Sequence, residues 1–506
     1  MILIFVETDL LEEAERTIAQ EEGLHELVQI TNRAEDQSKA SLLVHRQFIQ
    51  VSLNWRQGIP PYLITNQLSY HPQNLLGLIF LQLGAYEKAS LYLEEYPQLT
   101  EALLAAQQMQ YGNISHIQPT ALANANKLSV FDHYRQLHNQ AVLLHYGGQQ
   151  QSHNLEDVVK FYGKALAAAP DDEYYAFTSR QLSDLLLDTA RIEHAEEIVR
   201  QAWQRILSEQ AHHALQFNLI QILIRKLQPP YPKIQLAEIT VLLKENLSYY
   251  EKTAQSLELG MLSMDAAWVA QLKDNFSEGL ACINQAIRLF EKEDVPELEG
   301  DAWIRKGTLL YAWAQKGQPF HQQAIDSYQH ALKIFSQDAA PYVYADIHHH
   351  LALIYSEMPA SREKKSMLYA IASKSFQEAL AFFTKAQFPY EYGCVCNNYG
   401  NALIKFPHSN YQSTTEKALS YFEEALSVRH AEQYPYERAT SLLNMLEAYW
   451  QIPLDTQDRN LNLQRWSQMY TMAKEVISLI PDKDSVLREQ AENHLSSLEK
   501  AKNSYA

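Results

Sequence analysis

Three adjacent histidines, His348, His349 and His350, are the first residues in the sequence that could do chemistry, with Asp346 four positions before the last of them. Consecutive residues of a helix point about 100° apart, so at most two of the three could share a ligand. Asp346 and His350 could hold one cation from one face. Zinc takes three or four ligands, however, and no further set stands in the sequence. The three histidines therefore read as polar residues lining a surface groove. Cys394 and Cys396 are two residues apart and fall on nearly opposite faces of a helix, which suits neither a disulfide nor a shared metal. With Cys282 they read as small packing residues. Ser361 and Lys364 match S-x-x-K in letters only, without the motifs that accompany it in hydrolases. No G-x-G-x-x-G, G-x-x-x-x-G-K-[ST] or H-E-x-x-H is present, and His25-Glu26 has no second histidine. No catalytic residue, metal or cofactor is expected, and the chain reads as a non-enzyme.

Composition narrows the class further. The 506 residues carry 42 Lys and Arg against 60 Asp and Glu, a net charge of −18. That balance argues against nonspecific binding to nucleic acid or anionic membrane. Three Cys exclude a disulfide scaffold and fit a reducing compartment. The 15 Gly are few, and sheets and phosphate loops consume Gly in turns, so helices are favoured. The opening apolar run, Met1 to Val6, lacks a preceding basic residue and meets Glu7 and Asp9 at once, so it does not read as a secretory signal. No stretch approaches the ~20 apolar residues that span a bilayer. A cytoplasmic protein is expected.

The elements that carry these residues repeat. QHALKIFSQDAAPY at 329–342, QEALAFFTKAQFPY at 377–390 and EEALSVRHAEQYPY at 423–436 hold the same Ala-Leu and Pro-Tyr pairs at one offset. Pro341, Pro389 and Pro435 are 48 and 46 residues apart, and so are Pro359, Pro407 and Pro453. Each copy reads as two helices. The second carries small and aromatic residues at offsets of 4 and 3 on one face: Ala372, Phe376, Ala379; Ala418, Phe422, Ala425; Trp466, Tyr470, Ala473. Small residues admit a neighbouring helix, and the aromatic fills the space beside them. The same grammar runs upstream through Gly77, Ala89 and Leu93, through Ser183, Ala195, Val199 and Ala202, and through Gly307, Ala324, Tyr328 and Ala331.

This pattern resembles the tetratricopeptide repeat, a helix–turn–helix unit of about 34 residues. Leu76, Gly77, Phe80, Gly84, Tyr86 and Ala89 match it, as do Trp303, Gly307, Tyr399, Gly400 and Pro170. The resemblance implies an all-α fold, a right-handed α-solenoid of antiparallel helix pairs with about eight to ten units. Residues 1–70 are expected as a helical cap or degenerate repeats, with helices near 9–21 and 36–56. Residues 71–300 would be repeats, degenerate near 97–130 and 215–255. Residues 301–500 would be lengthened repeats, their extra residues lying in the turn within each pair. Phe388-Pro389 and Asn397-Asn398-Tyr399-Gly400 look like the bacterial arrays of this lengthened kind.

In the family, first helices line a concave groove that holds partner segments. The groove positions map to Arg305 and Thr308, to His349 and His350, to Asn397, Asn398 and Asn401, and to Asn444 and Glu447. Arg305, His350, Asn398 and Asn444 occupy one equivalent position in four successive units. Asn amides both donate and accept, which suits clamping an extended backbone. Only Arg305 among them is cationic, which disfavours the family's carboxylate clamp. The expected function is a protein–protein interaction scaffold binding a neutral or basic protein or peptide segment, with neither nucleic acid nor membrane as partner. The alternative is a ligand-responsive sensor that controls a protease or transcription factor.

Overall fold

The computed structural model describes residues 2–112, 128–146, 155–228, 231–406, 411–482 and 485–505. The chain divides into two compact units, Met1–Val269 and Ala270–Ala506.

The first unit opens on a sheet rather than a helical cap. Strand β1 (Ile2–Val6) is followed by α1 (Leu11–Ile18), α2 (Leu24–Leu27), β2 (Val28–Thr31), β3 (Leu42–Val44), β4 (Phe48–Val51) and β5 (Gln67–Ser69). The sheet order is β2-β1-β3-β4-β5, parallel on both sides of β1 and antiparallel from β3 onward. The apolar run at the start of the sequence is thus a central parallel strand, apolar on both faces because both are covered. The helix expected near 36–56 is not formed. Leu42, Val44, Ile49 and Val51 are buried there, and two strands with a tight reversal at His45 satisfy that period of two. The helix expected near 9–21 is present as α1.

From residue 72 the first unit is helical: α3 (Pro72–Gln82), α4 (Tyr86–Tyr92), α5 (Pro97–Gln110), α6 (Val130–Tyr146), α7 (Leu155–Ala167), α8 (Asp172–Asp188), α9 (Ile192–Trp203), α10 (Glu209–Lys226), α11 (Lys233–Lys252) and α12 (Ser256–Leu272), the last running to the unit's edge. The sheet and α3 to α5 share one apolar core. The stretch read as degenerate near 215–255 forms a full pair, α10 and α11. Of the stretch read as degenerate near 97–130, residues 97–110 form α5 and residues 113–127 lie outside the described residues.

The second unit comprises α13 (Phe276–Glu293), α14 (Pro296–Gln315), α15 (His321–Ile334), α16 (Pro341–Glu357), α17 (Arg362–Phe382), α18 (Pro389–Lys405), α19 (Tyr411–Val428), α20 (Pro435–Trp450), α21 (Arg459–Leu479) and α22 (Val486–Tyr505). Pro341, Pro389 and Pro435 each stand at the first position of a first helix, where proline's missing N–H costs nothing. Those helices end before Pro359, Pro407 and Pro453. The packing face falls where the repeat places it in two copies, where Ala372, Phe376, Ala379, Ala418, Phe422 and Ala425 are all fully buried; in the last copy Ala473 is buried but Trp466 and Tyr470 are half-buried. The added length of the repeats is not all turn. Only residues 358–361 separate α16 from α17, and the rest of that insertion extends the second helix at its N-terminus.

Candidate functional site

In the second unit, first helices α14, α16, α18 and α20 bring the polar positions together. Gly307 on α14 lacks the Cβ that would lie 2.7 Å from the Tyr328 ring, so Tyr328 reaches past it. Its hydroxyl meets Thr308 Oγ1 at 2.9 Å. Its ring stacks on His350 of α16, with centroids 5.4 Å apart and planes within 9°. Asp346 Oδ2 lies 3.7 Å from His350 Nε2.

The adjacent His349 continues the line onto α18. Asn398 Nδ2 donates to His349 Nε2 at 3.0 Å. Asn397 Nδ2 donates to Asn398 Oδ1 at 3.2 Å. On α20, Asn444 Nδ2 and Ser441 Oγ both donate to Asn397 Oδ1, at 3.0 and 3.1 Å. Asn397 is itself buried. His349, Asn398, Asn397 and Asn444 therefore form one hydrogen-bonded line across three successive first helices. Burial, and then the neighbouring His350, press the His349 pKa down to about 3. It is a neutral acceptor at Nε2, far from the range of a general base at neutral pH. Burial pushes the Cys396 thiol up to about 12, so it supplies no thiolate.

The three remaining predicted positions stand apart from this line. Arg305 and Glu447 are exposed, and Asn401 is half-buried on α18. Three residues that belong to the site were not among the predicted groove positions: Tyr328, read only as a packing residue of the repeat, Ser441 and Arg429. Arg429, at the end of the α19 segment, is 5% exposed. Its Nη1 donates to Ser441 Oγ at 2.6 Å and to Glu437 O at 3.0 Å, and its Nη2 lies 3.4 Å from Cys394 Sγ. Its Nε has no hydrogen-bond partner. A signal for it exists. Counting back six residues from Pro341, Pro389 and Pro435 gives Phe335, Phe383 and Arg429. The two phenylalanines are buried, so the third copy sets a guanidinium where the others set an aromatic ring.

The arrangement can present fixed amide and imidazole groups in a row. Asn444 spends one of its two N–H groups within the line, and Asn398 likewise one of its two. Among the described residues, no helix is long and apolar enough to cross a membrane.

No family model matches the sequence, and no curated protein matches it. Among solved structures, the chain is similar to a signal transduction ATPase with numerous domains from Pyrococcus horikoshii that carries a tetratricopeptide repeat sensor. The TM-score is 0.51 at 14% identity, over 83% of this chain and 62% of that one. The chain thus spans less than two thirds of that protein's length. Human IFIT1, solved with PPP-AAAA, aligns with a TM-score of 0.44 at 15% identity over 83% and 90% of the two chains. The apo quorum sensor NprR from B. thuringiensis aligns at 0.40 and 15% over 68% and 93%. The chain has a tetratricopeptide-type fold of stacked helix pairs.

Proposed function

We propose that the chain is a non-catalytic interaction scaffold that holds an extended segment of a partner protein against the first helices of its second unit. The observation that carries this reading is the line His349, Asn398, Asn397 and Asn444. Four side chains on three successive helices are fixed by one another before any ligand arrives. A partner backbone meeting them would find donors and acceptors already oriented, which lowers the ordering cost of binding. Arg305 and Glu447, exposed and apart from the line, would meet a longer partner segment through their charges. The net charge of −18 favours a neutral or basic segment through faster encounter and selectivity. The depressed His349 and the raised Cys396 thiol support the absence of catalysis.

The test is selection of a displayed peptide library on the wild type, with counter-screening on Asn398→Ala/Asn444→Ala after both are shown to melt cooperatively. Peptides that bind the wild type and lose affinity about tenfold on the double variant support the reading, a loss of one to two hydrogen bonds. Peptides that bind both equally, or selection of RNA oligonucleotides in their place, would overturn it.

A further inference from the structure

Strands β4 and β5 are hydrogen-bonded neighbours, yet residues 52–66 intervene between them. Hairpin connections usually take two to five residues, and long loops without their own secondary structure are usually functional. The ends of this loop are pinned, since Val51 N–H donates to Asn66 O at 2.8 Å. Its body lies on the first-helix face of the first unit.

The contacts there are those of a peptide ligand. Asn139 on α6 clasps Leu63 from both sides: Leu63 N–H donates to Asn139 Oδ1, and Asn139 Nδ2 donates to Leu63 O, each at 2.8 Å. His138 Nε2, one residue earlier on α6, donates to Pro61 O at 2.8 Å. On α8, Arg180 Nη1 donates to Trp55 O at 2.7 Å. On α12, Glu258 Oε1 accepts from the Gln57 N–H at 2.6 Å. Each bond goes to a main-chain atom of the loop, so the face reads backbone and would accept the backbone of another segment equally well. Selectivity comes from two anchors. Trp55 is buried edge-on against Phe177 at 5.2 Å, and Leu63 packs on the Phe131 and Tyr134 cluster. Pro60 and Pro61 between them keep the segment extended.

The seat is incompletely filled. A cavity of about 260 Å³ remains beside the loop, bounded by Arg56 and Pro60 on one side and by Arg180, Gln181 and Asp184 of α8 on the other. Arg180 is 4% exposed, and its Nε has no hydrogen-bond partner. A buried guanidinium with an unspent donor beside an open cavity has capacity that the loop does not use.

We propose that the first-helix face of the first unit is a receptor for an extended partner segment carrying an aromatic anchor, a central proline pair and an aliphatic anchor, and that the loop 52–66 is a tethered stand-in which such a segment displaces. The pinned hairpin ends, with Ile64 buried in the core of the sheet and α3 to α5, stay in place while residues 54–63 leave the face. The proposal is independent of the ladder in the second unit, so either can fail alone.

The probe is a fluorescein-labelled peptide of residues 54–65, NWRQGIPPYLIT. It is titrated against the full chain and against a full chain in which residues 54–63 are replaced by a short Gly/Ser turn, Ile64 being kept for the core of the sheet. The shortened chain is expected to bind it at least about tenfold more tightly than the wild type, because a tethered competitor acts at millimolar effective concentration. Asn139→Ala in the shortened chain is expected to weaken binding about fivefold by removing the clasp. A folded shortened chain that does not bind the peptide overturns the proposal, as does one that pairs with its own copies and leaves the peptide free. Should the shortened chain fail to fold, hydrogen exchange on the wild type decides the matter. The Gln57 and Leu63 amides must exchange well ahead of the β1 amides, and equal protection identifies a permanent plug and overturns displacement.

Discussion

A Cβ on Gly400 would lie 2.7 Å from Cε1 of Phe422, so the two helices of that repeat touch where one has no side chain and the other a phenylalanine ring. The pair is reciprocal, because the ring occupies the space that the glycine leaves. Gly400→Ala is therefore expected to destabilise the chain by about 1–3 kcal/mol through overpacking. Phe422→Ala empties the same space and is expected to cost about 3–5 kcal/mol. Gly400→Ala combined with Phe422→Leu should be less damaging than the two single effects summed, since they share one contact. Denaturant unfolding of the wild type, of Gly400→Ala, Phe422→Ala and Phe422→Leu, and of the double variant checks all three statements.

Ala425 is fully buried on the same helix as Phe422. Ala425→Glu places an unpaired carboxylate there, at a cost of several kcal/mol. The melting temperature should drop by several degrees. An unchanged melt would mean that this face of α19 is not packed as described.

Acid should weaken the fold through its buried histidines. Burial holds His138 at about 4 and His349 at about 3, both below the ordinary histidine value. The unfolded chain then binds protons that the folded chain refuses. This contribution to stability is complete above about pH 6.5 and is lost progressively as pH falls toward 4. His349→Gln keeps an acceptor for Asn398 and removes the titration. Its unfolding midpoint should fall less steeply between pH 6.5 and 4.5 than that of the wild type, the His138 share of the dependence remaining.

Asp184 behaves in the opposite sense. Burial raises its carboxyl to about 6, against the attraction of Arg180 and a hydrogen bond from Asn218. The folded chain holds a proton there that the unfolded chain has released, so its ionisation costs stability as pH rises from about 4 through 6. Asp184→Asn keeps an oxygen for Asn218 and removes that cost. The variant should be more stable than the wild type at pH 7.5, and the two should converge near pH 4.

Arg429 is expected to tolerate neither alanine nor lysine. Alanine leaves Ser441, the Glu437 carbonyl and a side-chain-sized void behind, for a loss of about 3 kcal/mol or more. Lysine lacks the planar fork that serves Ser441 and Cys394 together. Phenylalanine, the residue of the two sister repeats, should restore packing in the melt while breaking the bond to Ser441.

The helix pairs of the second unit were legible because their packing forces a periodicity. Ala at close contacts, an aromatic between them and Pro at helix starts recur with the repeat, and each is imposed by a neighbour a fixed distance away in sequence. The sheet obeys no such rule. β3 and β5 are three residues long, and their partners are set by the whole fold, so Leu42 to Val51 could be read with either a helical or a strand period. For the ladder, positions were legible and bonds were not. Asn397 and Asn444 stand 47 residues apart, and which amide turns toward which depends on the rotation of two helices. Arg429 breaks an otherwise apolar column and could have been found by aligning the three copies at that position.

The contact from Gln57 to Glu258 joins residues 201 apart in the sequence. In an ordinary repeat array each unit touches only its neighbours, so such arrays fray from their ends and fold from many starting points. The long hairpin reverses that economy for the first unit. It lies against α6, α8 and α12 at once, so these helices lose or gain a common partner together. Its seat is complete only once α12 has been synthesised and docked, and loop closure over so many residues is slow. With the loop seated, α6, α8 and α12 should therefore open together rather than fray in turn, while the loop's own Gln57 and Leu63 amides exchange ahead of them.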